Sequence, residues 1–140
     1  HPANTLSLHD ALPIFYGDGN NFVKTMINLS KTNTTLKVVN DQKGTPTSTV
    51  DLAKVIIKLI EDKNYGLFHC TCKGECTWYE FTKEIFRLKG ITTDVLPCTT
   101  DEFPRPAKRP EYSVLRNYML ELTTGDITRT WQEAIREYLK

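Results

Sequence analysis

Leu36-Lys-Val-Val-Asn-Asp-Gln-Lys-Gly-Thr-Pro-Thr-Ser-Thr-Val-Asp-Leu-Ala53 decides the fold class. Residues 36–39 are apolar enough for a short strand, and residues 40–49 form a loop in which Gly44 and Pro46 punctuate the chain. Residues 50–61 then form an amphipathic helix, because Leu52, Val55, Ile56, Leu59 and Ile60 recur at the three-and-four spacing of one helical face. Asn64-Tyr-Gly66 ends that helix, and Leu67-Phe-His-Cys-Thr71 reads as a largely buried strand. Strand, helix and strand in succession make the chain α/β.

The alternation continues on both sides. Gly17-Asp-Gly-Asn20 is a turn, and Asn21 is placed to N-cap a helix over residues 22–30, with Phe22, Met26 and Leu29 on one face. Thr77 and Glu80 have the spacing of a capping box that opens a helix to Leu88, with Gly90 as its stop. Residues 94–97 read as a strand, and residues 101–112 as irregular chain carrying Pro104, Pro106 and Pro110. Thr130 and Glu133 form a second capping box for a last helix to Tyr138, with Trp131, Ile135 and Leu139 on one face. Helix-linked strands imply parallel pairing, which needs neighbours on both sides and cover on both faces. The apolar segment 67–71 has few strands here to sit beside, so the sequence reads as the end of a doubly wound domain.

The first fourteen residues fit this pattern poorly. They lack the basic start and sustained apolar run of a signal peptide. Leu6, Leu8 and Leu12 keep no clean helical period. Thr5-Leu-Ser-Leu-His-Asp-Ala-Leu-Pro-Ile14 resembles one reading frame of a short-read sequencing adapter. The expectation is therefore a non-native adapter-derived segment at 1–14, joined to the genuine chain near Phe15.

At 140 residues the chain is long enough for one core. Eighteen basic residues against seventeen acidic leave a net charge of +1, which points to neither nucleic acid nor membrane as a partner. The longest apolar run, Val55-Ile-Ile57, is broken by Lys58, so nothing spans a bilayer. Cys70, Cys72, Cys76 and Cys98 lack the paired C-x2-C spacing of a zinc site. Reduced, structural cysteines are expected, which suits a reducing cytoplasmic setting.

No G-x-G-x-x-G turn is present to bring backbone amides onto a dinucleotide pyrophosphate. Only Tyr79-Glu-Phe-Thr-Lys83 has the Tyr-x3-Lys spacing. It falls on an amphipathic helix without an upstream Ser or Thr partner, and reads as helix surface and core. No catalytic residue is therefore assigned. The loop at 41–47 is more informative. Gly44 allows positive φ or a close backbone approach, and Pro46 stiffens the loop. Gln42, Thr45 and Thr47 offer amide and hydroxyl groups suited to a sugar or nucleotide, just before a helix N-terminus that favours phosphate. A plain turn and helix cap would look much the same. Arg105 and Arg109 lie among prolines, where a guanidinium fork suits a diphosphate, although an exposed basic loop has the same composition. His69 reads as a core or lip residue of its strand, and Trp78 and Trp131 as helix anchors. Glu75 and Glu80 could be paired carboxylates, but Glu80 already serves the cap.

Taken in order, these segments resemble the dTDP-4-dehydrorhamnose reductase family of extended short-chain dehydrogenases. The resemblance runs through Tyr16-Gly17, Gly19-Asn-Asn-Phe-Val-Lys-Thr-Met26, Gln42, Gly44-Thr-Pro-Thr47 and Asp51-Leu-Ala53. It continues through Tyr65-Gly66, Gly74-Glu-Cys76, Trp78-Tyr-Glu-Phe81, Phe103-Pro-Arg-Pro-Ala-Lys-Arg-Pro110, Ser113-Val-Leu115 and Trp131-Gln-Glu-Ala134. It implies the C-terminal part of a Rossmann-like enzyme with its small substrate-binding domain, at residues 15–140. It also implies reduction of a dTDP-4-keto sugar with NADPH or NADH by the parent enzyme. The family's catalytic Tyr, Lys and Ser or Thr would precede Phe15, so this chain alone is expected to bind no cofactor and to be inactive. The substrate-binding residues carried over are Asn21, Phe22, Gln42, Thr45, Pro46, Thr47, Arg105 and Arg109. A homodimer is compatible with the resemblance. Rival readings are a nucleotide-sugar epimerase or dehydratase, and a non-catalytic subunit built on the same fold.

Overall fold

Residues 15–104 and 106–140 are described in the structure, a computed structural model. The adapter reading of residues 1–14 and the role of Arg105 lie outside the described residues. The chain is α/β. Its elements are β1 (Phe15–Tyr16), α1 (Phe22–Ser30), β2 (Thr35–Val39), β3 (Lys43–Gly44), β4 (Thr47–Ser48), α2 (Thr49–Glu61) and β5 (Cys76–Thr77). These are followed by α3 (Trp78–Lys89), β6 (Asp94–Cys98), a 3-10 turn (Thr100–Glu102), α4 (Tyr118–Leu122) and α5 (Trp131–Tyr138). Among the described residues the strands form three pairs: β1 with β4 and β2 with β6, both parallel, and β3 with β5, antiparallel.

Helix boundaries follow the caps. The Asn21 side chain accepts from the Lys24 amide at the start of α1. Thr77 and Glu80 close a full capping box on α3, and Gly90 ends that helix at φ 63. Thr130 and Glu133 do the same for α5. Each box satisfies two backbone donors that the first helical turn would otherwise leave unpaired. The α2 helix is capped by Ser48 and so begins at Thr49, one residue earlier than the apolar period suggests.

The core lies where α1, α3 and α5 meet β1 and β2. Phe81 of α3 sits at its centre, with ring centroids 5.8 Å from Tyr16, 6.0 Å from Phe22 and 5.8 Å from Trp131. Trp78 and Trp131 are both buried, as anchors should be. Gly17 is required by a close approach: a Cβ there would lie 1.9 Å from Thr49 Oγ1. Gly44, by contrast, is in β3, paired with Cys76.

Several sequence expectations give way. Segment 67–71 is not a strand. No backbone partner supplies its ladder among the described residues, and Leu67 is 86% exposed. The Asn117 side chain alone takes the place of a neighbouring strand, accepting from Thr71 N at 3.0 Å and donating to Thr71 O at 2.7 Å. His69 is accordingly exposed rather than in a core. The helical face read on α2 is present, but only Val55 and Asp51 of that helix are buried; Ile56, Ile57 and Ile60 face outward, Ile60 at 67%. The loop at 40–49 contains two short strands, and α4 had no signal in the sequence.

The four cysteines are free thiols. Burial pushes Cys70, Cys72 and Cys98 up to about 11, and Cys76 higher still, so all four are protonated at neutral pH. Tyr79 and Lys83 form a cation–π contact at 5.3 Å on the flank of α3, in keeping with a helix-surface role. No helix of the described residues is long and apolar enough to cross a membrane.

Candidate functional site

The segment from Gln42 to Thr47 is held by its own polar groups. Gln42 Nε2 donates to Thr100 Oγ1 at 3.0 Å, and Thr100 Oγ1 donates in turn to Asp41 Oδ1 at 2.7 Å. Burial would raise the Asp41 carboxyl, but the hydrogen bonds from the Thr100 amide and hydroxyl outweigh it and hold Asp41 below its ordinary value. Thr45 Oγ1 donates to Gly74 O at 2.6 Å. Thr47 Oγ1 donates to Thr45 O at 3.1 Å and accepts from Cys72 N at 3.2 Å. Pro46 is fully buried. The two threonine hydroxyls and the Gln42 amide nitrogen therefore all serve to hold the loop, and Gln42, although buried, also lines a cavity.

That cavity has a volume of about 740 Å³. It is lined by the segment from Gln42 to Thr47, by Phe15, Cys70 and Trp78, and by the stretch from Arg109 to Leu115. Its size is that of a cofactor or nucleotide pocket, and its walls are mainly apolar with a few polar groups, the usual make-up of a small-molecule site. The stretch from Arg109 to Leu115 reaches the segment from Gln42 to Thr47 through β3. Lys43 N donates to Glu111 O at 2.7 Å, and Ser113 N donates to Lys43 O at 2.9 Å. Two segments nearly seventy positions apart are thus locked edge to edge, and Arg109, just before the locked stretch, lines the same cavity as Gln42. A smaller cavity of about 440 Å³ shares Gln42, Ala107 and Arg109 and adds Asp41, Asp101, Lys108 and Glu111.

Of the residues singled out in the sequence, the structure brings Gln42, Thr45, Thr47 and Arg109 to one cavity, with Pro46 buried behind them. Asn21 and Phe22 stand elsewhere. Asn21 donates to Gly17 O at 2.8 Å and to Tyr138 Oη at 3.1 Å, and Phe22 packs its ring 4.7 Å from Trp78. Phe15, Lys43, Cys70, Thr71 and Tyr112 also line the cavity and were missed. Nothing local in the sequence marks any of them, because they meet only through contacts between distant stretches of chain.

A family model described as the RmlD substrate binding domain matches residues 12–140. The spore coat polysaccharide biosynthesis protein SpsK of Bacillus subtilis is 44% identical over 126 residues, which cover 89% of this chain and 44% of that protein. The crystal structure of a dTDP-4-dehydrorhamnose reductase from Clostridium acetobutylicum superimposes with a TM-score of 0.89 at 74% identity, covering 90% of this chain and 45% of that one. A dTDP-4-dehydrorhamnose reductase from Bacillus anthracis, solved in complex with NADP, gives a TM-score of 0.83 at 42% identity, covering 89% and 44%. The chain therefore spans about half the length of the relatives it matches.

Proposed function

Because the chain belongs to the RmlD substrate binding domain family, we propose that residues 15–140 are the substrate-binding portion of a dTDP-4-dehydrorhamnose reductase. The whole enzyme reduces the 4-keto group of dTDP-6-deoxy-L-lyxo-4-hexulose with NADPH or NADH and gives dTDP-L-rhamnose. The observation that carries this reading is the convergence of Gln42 and Arg109 on one cavity with aromatic walls. Arg109 answers the diphosphate, with its planar fork matched to phosphate oxygens. Gln42 reads a polar edge of the sugar or base, and Thr45, Pro46 and Thr47 hold the loop that presents it. Asn21 and Phe22 act at one remove, by fixing the start of α1. Arg105, beside Pro104 and Pro106, is a second cation for the same diphosphate.

The described residues do not fit the nicotinamide cofactor. The N-terminal turns of α1, α2, α3 and α5 are each capped by a side chain of their own, from Asn21, Ser48, Thr77 and Thr130. The Gly17-Asp-Gly19 turn that leads into α1 lacks the G-x-G-x-x-G spacing of a dinucleotide loop, and Asn21 already engages the Lys24 amide there. We assign the dinucleotide and the proton-transferring groups to the rest of the longer protein, and residues 1–14 to a non-native segment. The chain by itself is then inactive. A cytoplasmic homodimer is the assembly and setting we propose.

The test is turnover by the longer protein that carries this chain, with the dTDP-4-keto sugar and each nicotinamide cofactor, followed by product identification. Oxidised cofactor together with dTDP-L-rhamnose supports the reading. An epimerised or dehydrated product points to a sister enzyme, and no turnover of any nucleotide sugar points to a non-catalytic subunit. Within that assay Arg109→Ala raises KM for the nucleotide sugar by about tenfold or more, the scale of one charge-assisted hydrogen bond. An unchanged KM removes Arg109 from the site.

A further inference from the structure

Glu75 lies outside the cavity, yet both donors on its carboxylate come from residues that line it. Oε1 accepts from Lys43 Nζ at 3.0 Å, and Oε2 accepts from the Tyr112 hydroxyl at 2.8 Å. The backbone beneath Glu75 is fixed on both sides. Gly74 before it turns at φ 88, where a Cβ would crowd Trp131 Cδ1 at 3.2 Å, and its carbonyl accepts from Thr45. Cys76 after it pairs with Gly44, and Thr77 caps α3. The carboxylate is thus held on the frame of the fold, whereas Tyr112 is 62% exposed and has little packing of its own to fix its ring.

An exposed carboxylate–lysine contact contributes little stability, so folding gives no sufficient reason for the arrangement. Its geometric effect is more specific. The proline-rich run between Pro104 and Pro110 is tied at one end, where the Thr100 amide and hydroxyl donate to Asp41. At the other end it is tied by the Lys43 ladder to residues 111 and 113 and by the Tyr112 hydroxyl. Arg109 is three residues from Tyr112.

We propose that Glu75 is a positioning residue. Through Tyr112 it holds the Arg109 loop in the ligand-ready place, and through Lys43 it keeps the adjoining strand aligned with that loop. Ordering the loop before the ligand arrives removes an entropic cost from binding. The proposal rests on the substrate-binding reading for its kinetic consequence but not for its structural one.

Two measurements on the longer protein separate these. The first is limited trypsin digestion. Within 104–110 only the Lys108–Arg109 bond is open to trypsin, because Arg105 and Arg109 are each followed by proline. Glu75→Ala and Tyr112→Phe each speed cleavage of that bond by about 3- to 10-fold, with the melting temperature of the protein unchanged. The second is steady-state kinetics with the nucleotide sugar. Glu75→Ala raises KM by about 3- to 10-fold with kcat held. Tyr112→Phe raises it by a similar factor, and the double variant by no more than either single one. Glu75→Gln, which still pairs with the Tyr112 hydroxyl, stays within about twofold of the parent. Unchanged cleavage in both single variants overturns the proposal, and so do additive effects on KM. If the longer protein turns over no nucleotide sugar, the substrate reading fails while the cleavage rates still decide the role of Glu75.

Discussion

Arg129→Ala destabilises the fold by about 3–5 kcal/mol, the cost of leaving a buried charge without its partner. Asp51, in the first turn of α2, is 3% exposed. Its two oxygens accept from Arg129 Nε at 3.0 Å and from Arg129 Nη2 at 2.7 Å, a two-pronged contact that also fixes the plane of both groups. Arg129 in turn reaches Glu137 of α5. Its backbone carbonyl accepts from Lys73 N at 2.8 Å. One side chain therefore ties α2, the segment before α5, and α5 itself. The measurement is the urea midpoint of the variant against the parent at matched slope. The double variant Asp51→Ala/Arg129→Ala should recover part of the loss, because no charge is then orphaned. A single-variant loss under about 1 kcal/mol would mean that the pair is no more than a surface contact.

The same pair sets a pH dependence with a definite sign. Burial by itself would raise the Asp51 carboxyl, and the hydrogen bonds and charge of Arg129 outweigh it, holding Asp51 below its ordinary value. A carboxyl with a depressed folded pKa contributes stability that is fully present above its unfolded pKa, near 4. That contribution is lost as pH falls through the folded value. Arg129→Ala removes the depression and keeps the burial. Parent and variant therefore differ most at neutral pH and converge below about pH 4. A difference that stays constant down to pH 3 argues against the assignment.

Phe81→Ala is expected to cost about as much, roughly 3–5 kcal/mol, from lost burial and the cavity left behind. Phe81 is 0% exposed and its ring is in contact with Tyr16 of β1, Phe22 of α1 and Trp131 of α5. Neighbours on three different elements cannot all collapse into the void at once, which puts the site at the costly end of such substitutions. Phe81→Leu, which keeps apolar volume, should lose much less. Near-ultraviolet circular dichroism reads the result, since Tyr16 and Trp131 lose their fixed surroundings. A preserved aromatic signal with a small shift in the unfolding midpoint would sink the claim that Phe81 organises the core.

What the sequence made legible is what it encodes locally. Asn21, the Thr77–Glu80 box and the Thr130–Glu133 box satisfy amides within three residues, so their spacing alone locates α1, α3 and α5. Segment 67–71 shows the opposite case. Its composition suits a sheet interior, but a strand exists only where another backbone supplies the ladder, and among the described residues Asn117 alone answers Thr71. The short strands β3 and β4 were hidden for the same reason, since their partners lie at Cys76–Thr77 and Phe15–Tyr16. Outward-facing Ile56, Ile57 and Ile60 show that periodicity identifies an apolar face without saying what covers it.

The site divides along similar lines. Gln42 and Arg109 stood out because their chemistry suits a nucleotide sugar, and the fold brings them to one cavity. Thr45 and Thr47 have the same chemistry on paper, yet their hydroxyls are used inside the loop. Asn21 is committed to a cap and Phe22 to the core. Glu75, Lys43 and Tyr112 form a cluster that no spacing rule reveals, because its three members come from three separate stretches of chain. Asp51 and Arg129 are hidden for the same reason.

The strand pairing also bears on how the chain folds. Thr35 meets Asp94, Phe15 meets Thr47, and Lys43 meets Thr77. Among the described residues no pair is a hairpin, so each must close a long loop before its hydrogen bonds repay the lost entropy. Such topologies fold slowly for their size, because distant contacts dominate. The self-capped helices are the elements whose contacts are local enough to form first. The β2–β6 pair joins the most distant of the described strands, and formation of α3 between them shortens the loop it has to close.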